Sequence, residues 1–331
     1  MAAIELEGVT KDYGEVLAND DVTFTVERGE IFGYLGPNGA GKTTTIRTLL
    51  GFLSPTEGSG RLLGHDITDE DDLIEAKRRL GYLPDDPAFD ETATGREILE
   101  LHASIKGDER SAELLELFDP PLDRTVREYS HGNVRKLGLV TTFMHDPDLV
   151  ILDEPTSGLD PLMQQRFAEF VRSERDQGMT VFFSSHVLSE VRRLCDRVGI
   201  IRDGRLVTVE PVESLLDRSG KVVRLRAAEP IPTEALEIDG VHELETSLDP
   251  GEGESERDAT TPATAFTECT LTFTGDVNAL LDRLREYRLL DLSIEEAPLE
   301  DVFMRFYGGE RSERKPTPAA KSVPSEASDD V

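Results

Sequence analysis

This chain of 331 residues has little of three features that mark particular classes of protein. Its two cysteines, Cys195 and Cys269, are too few for a disulfide framework and fit a reducing cytosol. No apolar run approaches the roughly 18 residues that suggest a membrane-spanning helix. The first residues lack the charged and apolar regions of a signal peptide. We therefore expect a protein of a reducing compartment without a membrane span of its own.

Lysine is also scarce, because only eight of the 36 basic residues are lysine, against 67 acidic residues and a formal net charge of −31. The acidic excess is spread along the chain rather than confined to one tail. Such a protein repels itself in dilute buffer, whereas molar salt shortens the screening length to about 3 Å. The composition resembles that of extreme halophiles; binding of a partner through this charge is the alternative. The charge argues weakly against nucleic acid as a ligand.

The most informative segment is Gly36–Thr44, which matches the pattern G-x-x-x-x-G-K-[ST]. An apolar run, Glu30–Leu35, predicts a buried strand before it, and Thr44–Leu50 predicts a helix after it. Glycines let backbone N–H groups surround a polyphosphate, and a helix N-terminus adds the positive end of its dipole. Lys42 is expected to reach the β- and γ-phosphates, and the Thr43 hydroxyl to hold Mg²⁺. The predicted nucleotide-binding residues are Gly36, Pro37, Asn38, Gly39, Ala40, Gly41, Lys42, Thr43 and Thr44.

A second apolar segment, Leu149–Glu154, predicts a strand that ends in two carboxylates. Because neighbours in a strand point to opposite faces, Asp153 is expected to face a Mg²⁺ shell while Glu154 meets an attacking water. Taken alone, a buried strand running into an acidic turn would be the better reading in so acidic a protein. Ser157–Asp160 follows, and His186 comes directly after another predicted strand.

The order of these motifs resembles that of the ATP-binding cassette (ABC) ATPases, over residues 4 to about 210. Ser130 to Asn133 lie where that family carries its signature Ser-Gly-Gly-Gln. Further positions match other family motifs: Asp153 and Glu154 the second nucleotide motif, Ser157 to Asp160 the D-loop, His186 the switch histidine, Tyr13 the aromatic residue that stacks on adenine, and Asp85 the position usually held by Gln.

Two departures from the family pattern bear on function. His131 and Asn133 replace Gly and Gln, a relaxed signature that resembles single-cassette chains serving ABC-2 type exporters. Asp85 adds a negative charge on a shorter side chain than Gln, which puts direct contact with the metal in question, and Asp86 could share that task.

The resemblance implies a head-to-tail dimer, of identical or different cassettes, with two ATP molecules at its interface. Each ATP would lie between the phosphate loop of one subunit and the signature of the other. The implied catalytic residues are Glu154 as general base, His186 and Lys42; beyond the phosphate loop, the nucleotide would contact Tyr13, Ser130, Gly132 and Asp160; Mg²⁺ would be held by Thr43, Asp153 and Asp85.

The expected fold is α/β: a P-loop NTPase cassette with a RecA-like core, an antiparallel β subdomain and a helical signature subdomain at about 90–145, all within residues 1–215. Residues 220–309 predict a small α+β accessory domain, similar to the extension of drug-efflux ATPases. Its predicted elements are strands at Lys221–Arg226, Glu268–Thr274 and Leu290–Ile294, helices at Val277–Tyr287 and Pro298–Tyr307, and a loop at Asp249–Pro262. Residues 310–331 predict a disordered tail.

The function implied is that of an ATPase motor of an ABC-2 type exporter, peripheral at the cytoplasmic face of the membrane and paired with a permease on a separate chain. A soluble ABC ATPase acting on ribosomes or chromosomes is the alternative. A catalytically silent cassette is disfavoured, because Lys42, Asp153, Glu154 and His186 are all present.

Overall fold

The strands of the chain carry mostly apolar or alternating sequences, and a computed structural model describes residues 2–229, 231–236, 238–249 and 266–296. Within those residues the strands are β1 (Ala2–Asp12), β2 (Leu17–Glu27), β3 (Ile31–Leu35), β4 (Glu57–Leu62), β5 (His65–Asp66), β6 (Leu80–Leu83), β7 (Leu149–Asp153), β8 (Thr180–Ser185), β9 (Arg197–Arg202), β10 (Arg205–Pro211), β11 (Lys221–Ala227), β12 (Val241–Asp249), β13 (Phe266–Phe273) and β14 (Leu289–Glu296).

The helices of the same ranges begin mostly at a polar cap or after a glycine. They are α1 (Lys42–Leu49), α2 (Glu70–Arg78), α3 (Gly95–Lys106), α4 (Ser111–Phe118), α5 (His131–Phe143), α6 (Pro161–Asp176), α7 (Leu188–Leu194), α8 (Val212–Ser219), α9 (Thr233–Leu236) and α10 (Val277–Leu284), with a 3₁₀ turn at Val126–Glu128. No helix among the described residues is long and apolar enough to cross a membrane.

The central sheet has the strand order β10-β9-β3-β8-β7-β6 and is parallel except for β10. Every residue of β3, β7 and β8 is buried, as expected for parallel strands covered on both faces. On one face, the rings of Phe32 and Phe182 stack with that of Phe24 from β2. Because β3, β7 and β8 are parallel, the loops that follow them leave the same edge of the sheet, where the predicted site residues lie.

An antiparallel sheet of order β2-β1-β4-β5 accompanies the central sheet and corresponds to the expected antiparallel β subdomain. Its buried Ile4, Leu6 and Val22 share one hydrophobic cluster with residues of the central sheet and α1. The two sheets therefore pack as one body around a common core.

The predicted helical stretch contains α3, α4 and α5. Thr94 and Glu97 form a capping box at the start of α3, and Asp119, with φ 47°, ends α4 before two prolines. Arg110, at the start of α4, is joined to α6 because its Nη2 atom lies 2.7 Å from Glu174 Oε1. This contact ties the helical stretch to the central core.

A third sheet, of order β12-β13-β11-β14, is antiparallel and packs with α10 around its own hydrophobic cluster. The three predicted strands and the helix from Val277 are present there, whereas β12 and α9 were not predicted. The predicted helix Pro298–Tyr307, most of the predicted loop Asp249–Pro262 and the predicted tail at 310–331 lie outside the described residues.

Candidate functional site

The loops after β3 and β7 and the start of β2 enclose a cleft of about 460 Å³. Ten of the predicted site residues line it: Pro37, Asn38, Gly39, Gly41, Lys42, Thr43, Thr44, Asp85, Asp153 and Glu154. The phosphate loop and the carboxylates of Asp153 and Glu154, which are far apart in the sequence, therefore line one cleft.

The loop between β3 and α1 is held in a fixed shape by its neighbours. Gly41, with φ 108°, caps α1, and a Cβ atom there would lie 2.5 Å from the Ala18 carbonyl oxygen. The buried Asn19 amide donates to the Thr45 hydroxyl at 3.0 Å. The Tyr34 hydroxyl lies 3.1 Å from that same Thr45 oxygen. Glycine is required at position 41, because the positive φ and the nearby Ala18 carbonyl both disfavour a side chain there.

Lys42 is the first residue of α1 and is only 7% exposed. Its Nζ atom donates to the Gly36 carbonyl at 2.6 Å, and it lies 3.6 Å from Glu154 Oε1. The ammonium group is therefore fixed over the loop, between the helix N-terminus and the acidic residues that follow β7.

Asp153 is the last residue of β7 and is buried, and it accepts a hydrogen bond from the Ser184 hydroxyl of β8. Burial raises the pKa of the Asp153 carboxyl, and the bond from Ser184 opposes that shift. The expectation that Asp153 and Glu154 alternate along a strand is wrong. Glu154 has φ 49° and lies beyond the strand, and this turn directs both carboxylates to the same cleft.

His186 lies after β8, and its Nδ1 atom is 2.9 Å from Glu154 Oε2. Glu154 therefore has an imidazole at one carboxylate oxygen and the Lys42 ammonium at the other. The imidazole is exposed, whereas the carboxylate is mostly buried. This arrangement holds a general-base candidate in one orientation.

Asp85 lines the cleft after β6, and its position depends on a buried arginine. Arg135 of α5 is fully buried and donates to the carbonyl oxygens of Pro84 and Asp85. Its guanidinium also lies 3.4 Å from the Asp85 carboxylate. Burial lowers the pKa of Arg135, and the Asp85 charge opposes that shift. The helix that carries the signature is thereby fastened to the loop of Asp85.

Several predicted residues do not line the cleft. Ser130 is exposed and caps α5, and Asp160 is exposed and caps α6 by accepting from the Met163 amide at 2.9 Å. A Cβ atom on Gly132 would lie 2.8 Å from the Gly158 carbonyl oxygen, so the signature touches the D-loop of the same chain. Tyr13 is also outside the lining and is 54% exposed, with the Lys11 ammonium 5.3 Å from its ring. Gly36 and Ala40 lie in the loop without lining the cleft.

Sequence reasoning missed five residues of the lining: Val16, Leu17, Ala18, Asp203 and Gly204. Val16, directly before β2, and Leu17, the first residue of β2, are exposed apolar side chains. Their apolar run next to Tyr13 is a signal that could have found them. Asp203 and Gly204 form a turn between β9 and β10, and nothing in the local sequence of this turn indicates that it lines the cleft.

The oxygen donors of the cleft suit Mg²⁺, which prefers hydroxyl, carboxylate and phosphate oxygens. Thr43 and Asp153 line the same cleft, and the Ser184 hydroxyl orients the Asp153 carboxylate. In the part of the chain that the structure describes, no group of three or more His, Cys, Asp or Glu side chains could hold a metal alone. These residues fit an ion that takes further ligands from phosphate and water.

Comparison with known proteins gives the family. The family described as ABC transporter matches residues 19–157. The bacitracin transport ATP-binding protein BcrA of Bacillus licheniformis is 32% identical over 92% of this chain and 97% of its own length. The daunorubicin/doxorubicin resistance ATP-binding protein DrrA of Streptomyces peucetius is 38% identical over 68% of this chain and 70% of its own. An uncharacterized ABC transporter ATP-binding protein of Nostoc sp. is 41% identical, and the match spans 61% of this chain and 62% of the relative.

Solved structures agree with the predicted fold. An ATP-binding subunit of an ABC transporter has a TM-score of 0.60 at 30% identity, over 65% of this chain and 92% of that chain. A dimeric cassette in a post-hydrolysis state with ADP and Pi has a TM-score of 0.58 over 63% of this chain and 98% of that chain; at 22% identity, this likeness shows the fold alone. The predicted cassette fold is confirmed, and the chain belongs to the ABC transporter family, as an ATP-binding ATPase subunit.

Proposed function

We propose that the chain is the ATP-hydrolysing motor of an ABC-2 type export system and drives a permease encoded as a separate chain. The observation that carries this is the contact of Glu154 with both Lys42 and His186 at the edge of the phosphate-loop cleft. The relatives named for bacitracin transport and drug resistance support export as the direction.

In this proposal the loop Gly36–Thr44 binds the phosphates of ATP through its amides and the N-terminus of α1. Lys42 neutralises charge that develops on the transferred phosphoryl group. Glu154 accepts a proton from the attacking water or polarises it. His186, held at Glu154 through Nδ1, would use its other ring nitrogen to bridge the water and the γ-phosphate.

Thr43, Asp153 and Asp85 would hold Mg²⁺, which neutralises charge on the β- and γ-phosphates when bound. Within the chain itself, the Ser184 hydroxyl keeps the Asp153 carboxylate turned into the cleft. Arg135 keeps the Asp85 loop against α5. Tyr13, or the exposed apolar residues beside it, would provide a face for adenine.

We further propose that two cassettes, identical or different, close head to tail around two ATP molecules. Ser130, Gly132 and Asp160 are exposed or at the surface of the α5–D-loop contact, away from the chain's own cleft, which suits contact with nucleotide bound to a second cassette. Closure on ATP and opening after hydrolysis would move the permease.

We assign residues 1–215 to the nucleotide-binding domain, with a helical subdomain at about 90–145, and residues 220–309 to an accessory α+β domain. The chain would be peripheral at the cytoplasmic face, bound to its permease. The net charge of −31 supports an origin in a salt-accumulating halophile.

The test is ATP hydrolysis in molar KCl by the purified chain, alone and with the candidate permease in lipid vesicles. Coupled function predicts that the permease changes the rate, and that its own cargo changes it further. An ATPase rate indifferent to the permease, but altered by ribosomes or DNA, would instead support the soluble class.

A further inference from the structure

A buried carboxylate lies behind the Glu154–His186 pair. Glu190 of α7 is 8% exposed and faces inward from the first turn of that helix. One of its oxygens accepts from the Ser185 hydroxyl at 2.9 Å, and the other accepts from the Thr156 hydroxyl. Ser185 and Thr156 are themselves buried, at 0% and 3% exposed.

These two hydroxyls belong to different segments of the candidate site, because Thr156 lies in the loop after β7 and Ser185 is the last residue of β8. Thr156 lies two residues after Glu154, and Ser185 directly precedes His186. Ser185 Oγ also accepts from the Val187 amide at 2.9 Å, which fixes the turn that carries the imidazole. Glu190 therefore joins the loop of the general-base candidate to the loop of the switch histidine from the inside, while the Glu154–His186 contact joins them at the surface.

Both carboxylate oxygens of Glu190 are hydrogen-bonded, which supports a specific role for this residue. A buried carboxylate is costly unless its oxygens are hydrogen-bonded, and here one oxygen is bonded to the loop after β7 and the other to the end of β8. The backbone of the phosphate loop is held by other residues, because the Gly41 carbonyl accepts from the Asn19 amide and the Ala40 carbonyl accepts from the Gly204 amide. The loop meets the hydrolytic pair through Lys42, whose Nζ atom lies 3.6 Å from Glu154 Oε1. Loss of Glu190 is therefore expected to loosen the Glu154–His186 pair while the backbone of the phosphate loop keeps its shape.

We infer that Glu190 is a positioning residue for hydrolysis, which sets the Glu154 carboxylate and the His186 ring at their working separation. The inference rests on the roles proposed above for those two residues. A displacement of about 1 Å in a reacting group is enough to slow an enzyme step by about 100-fold. The hydrogen bonds of Glu190 that hold the two segments in place therefore have a measurable effect on turnover.

The experiment measures kcat and KM for ATP, ATP affinity and the free energy of unfolding for Glu190→Ala, Glu190→Gln and Thr156→Val. Glu190→Ala is expected to lower kcat by about tenfold while KM and ATP affinity stay within about twofold. Glu190→Gln should keep most of kcat, because an amide can still bridge two hydroxyls. Combining Thr156→Val with Glu190→Ala should lower kcat no further than Glu190→Ala alone.

Glu174→Gln is the matched control, since it alters another buried carboxylate, far along α6 and outside the cleft lining. It should lower stability and leave kcat unchanged. Wild-type kcat in Glu190→Ala, or a parallel loss of kcat and ATP affinity, would overturn the inference. If Glu190→Ala does not fold, Ser185→Ala replaces it, with a smaller expected loss of kcat at constant KM.

Glu154→Gln is measured in parallel to separate the positioning role from the proposed base. If Glu154→Gln is inactive and Glu190→Ala turns over like the wild type, only the positioning role fails. If Glu154→Gln keeps full turnover, the proposed base fails and the positioning role falls with it.

Discussion

At the scale of single residues, the phosphate loop depends on glycines for two different physical reasons. Gly41 has φ 108° and almost no space beside it, whereas Gly39 has φ 82° and nothing within 4 Å of the point that a Cβ atom would occupy. Alanine at either position costs about 1–2 kcal/mol in backbone strain. Only at position 41 does the methyl group also meet the Ala18 carbonyl oxygen.

We expect Gly41→Ala to lower the free energy of unfolding by about 2 kcal/mol more than Gly39→Ala, because the clash adds an overpacking cost to the shared backbone cost. Urea unfolding of both variants checks this, with Gly39→Ala as the matched control. Equal losses in the two variants would show that the loop relaxes around the added methyl group.

His145 gives a pH dependence that is specific to one side chain. It is buried after α5 with Nε2 3.1 Å from the Leu80 carbonyl oxygen, and burial, aided by the Lys106 charge, lowers its pKa to about 4. The unfolded chain protonates this histidine near its ordinary value of about 6.5. The unfolded state therefore takes up the proton first, and stability falls as pH drops from about 6.5 towards 4.

We expect the stability advantage of the wild type over His145→Gln to shrink by about 2 kcal/mol between pH 7 and pH 4.5, after allowance for solvent at the ring edge. Chemical denaturation of both proteins across that range measures it. A difference between the two proteins that stays constant with pH would contradict the neutral, buried state of His145.

The site residues differ in how far local sequence can encode them. Lys42 and Thr43 were predictable because the phosphate loop is contiguous and its spacing is tied to a strand and a helix. The φ of 49° at Glu154 was not, since strand alternation gives no sign of where a strand stops. The burial of Arg135 and Glu190 was also hidden, because both residue types are usually exposed and only their tertiary partners explain them.

At the scale of elements, the ion pair of Arg110 with Glu174, which joins α4 to α6, stabilises the fold. Glu174 is 5% exposed and Arg110 is 17% exposed, and the Glu174 hydrogen bond raises the pKa of Arg110 above its ordinary value. Removing one partner of a buried pair leaves the other charge without compensation, at a cost of about 3–5 kcal/mol.

We expect Glu174→Ala to lower the free energy of unfolding by about 3 kcal/mol, at the lower end because Glu113 and Asp146 also lie near Arg110. The double variant Arg110→Met with Glu174→Leu should recover most of that loss, since no charge remains buried. Urea unfolding of the single and double variants measures both effects. A double variant as unstable as Glu174→Ala would show that packing, rather than charge, dominates the contact.

Strands with a continuous apolar sequence were predicted correctly, whereas a strand of mixed apolar and polar sequence was missed. The buried strands β3, β7 and β8 were predicted from continuous apolar runs, as parallel strands require. β12 was missed because its apolar residues Val241, Leu244 and Leu248 are three and four positions apart, so the segment lacks the alternation of a half-buried strand, and its order comes from pairing with β13. Pairing with a neighbouring strand therefore stabilises a strand that local propensity does not predict.

At the scale of the whole molecule, charge is the dominant feature, with 67 acidic against 36 basic residues. Repulsion among these charges weakens as the screening length falls from about 10 Å at 0.1 M salt to about 3 Å at 1 M. We therefore expect the urea midpoint to rise steadily between about 0.1 and 2 M KCl.

The matched control carries glutamine at three exposed positions, Glu57, Glu100 and Glu116. Its midpoint should be higher than that of the wild type at about 0.1 M KCl and should rise less with added salt, because fewer charges remain to be screened. A midpoint that ignores KCl in both proteins would contradict the proposed adaptation to a salt-filled cytoplasm.

The central claim, that Glu154 acts at the γ-phosphate from between Lys42 and His186, is tested most directly by single-turnover ATP hydrolysis. Wild type, Glu154→Gln and the exposed control Glu100→Gln are compared at saturating ATP and Mg²⁺ in molar KCl. We predict that Glu154→Gln binds ATP like the wild type but hydrolyses it about 100-fold more slowly or worse, while Glu100→Gln is unchanged. Undiminished hydrolysis by Glu154→Gln would contradict this role of the carboxylate.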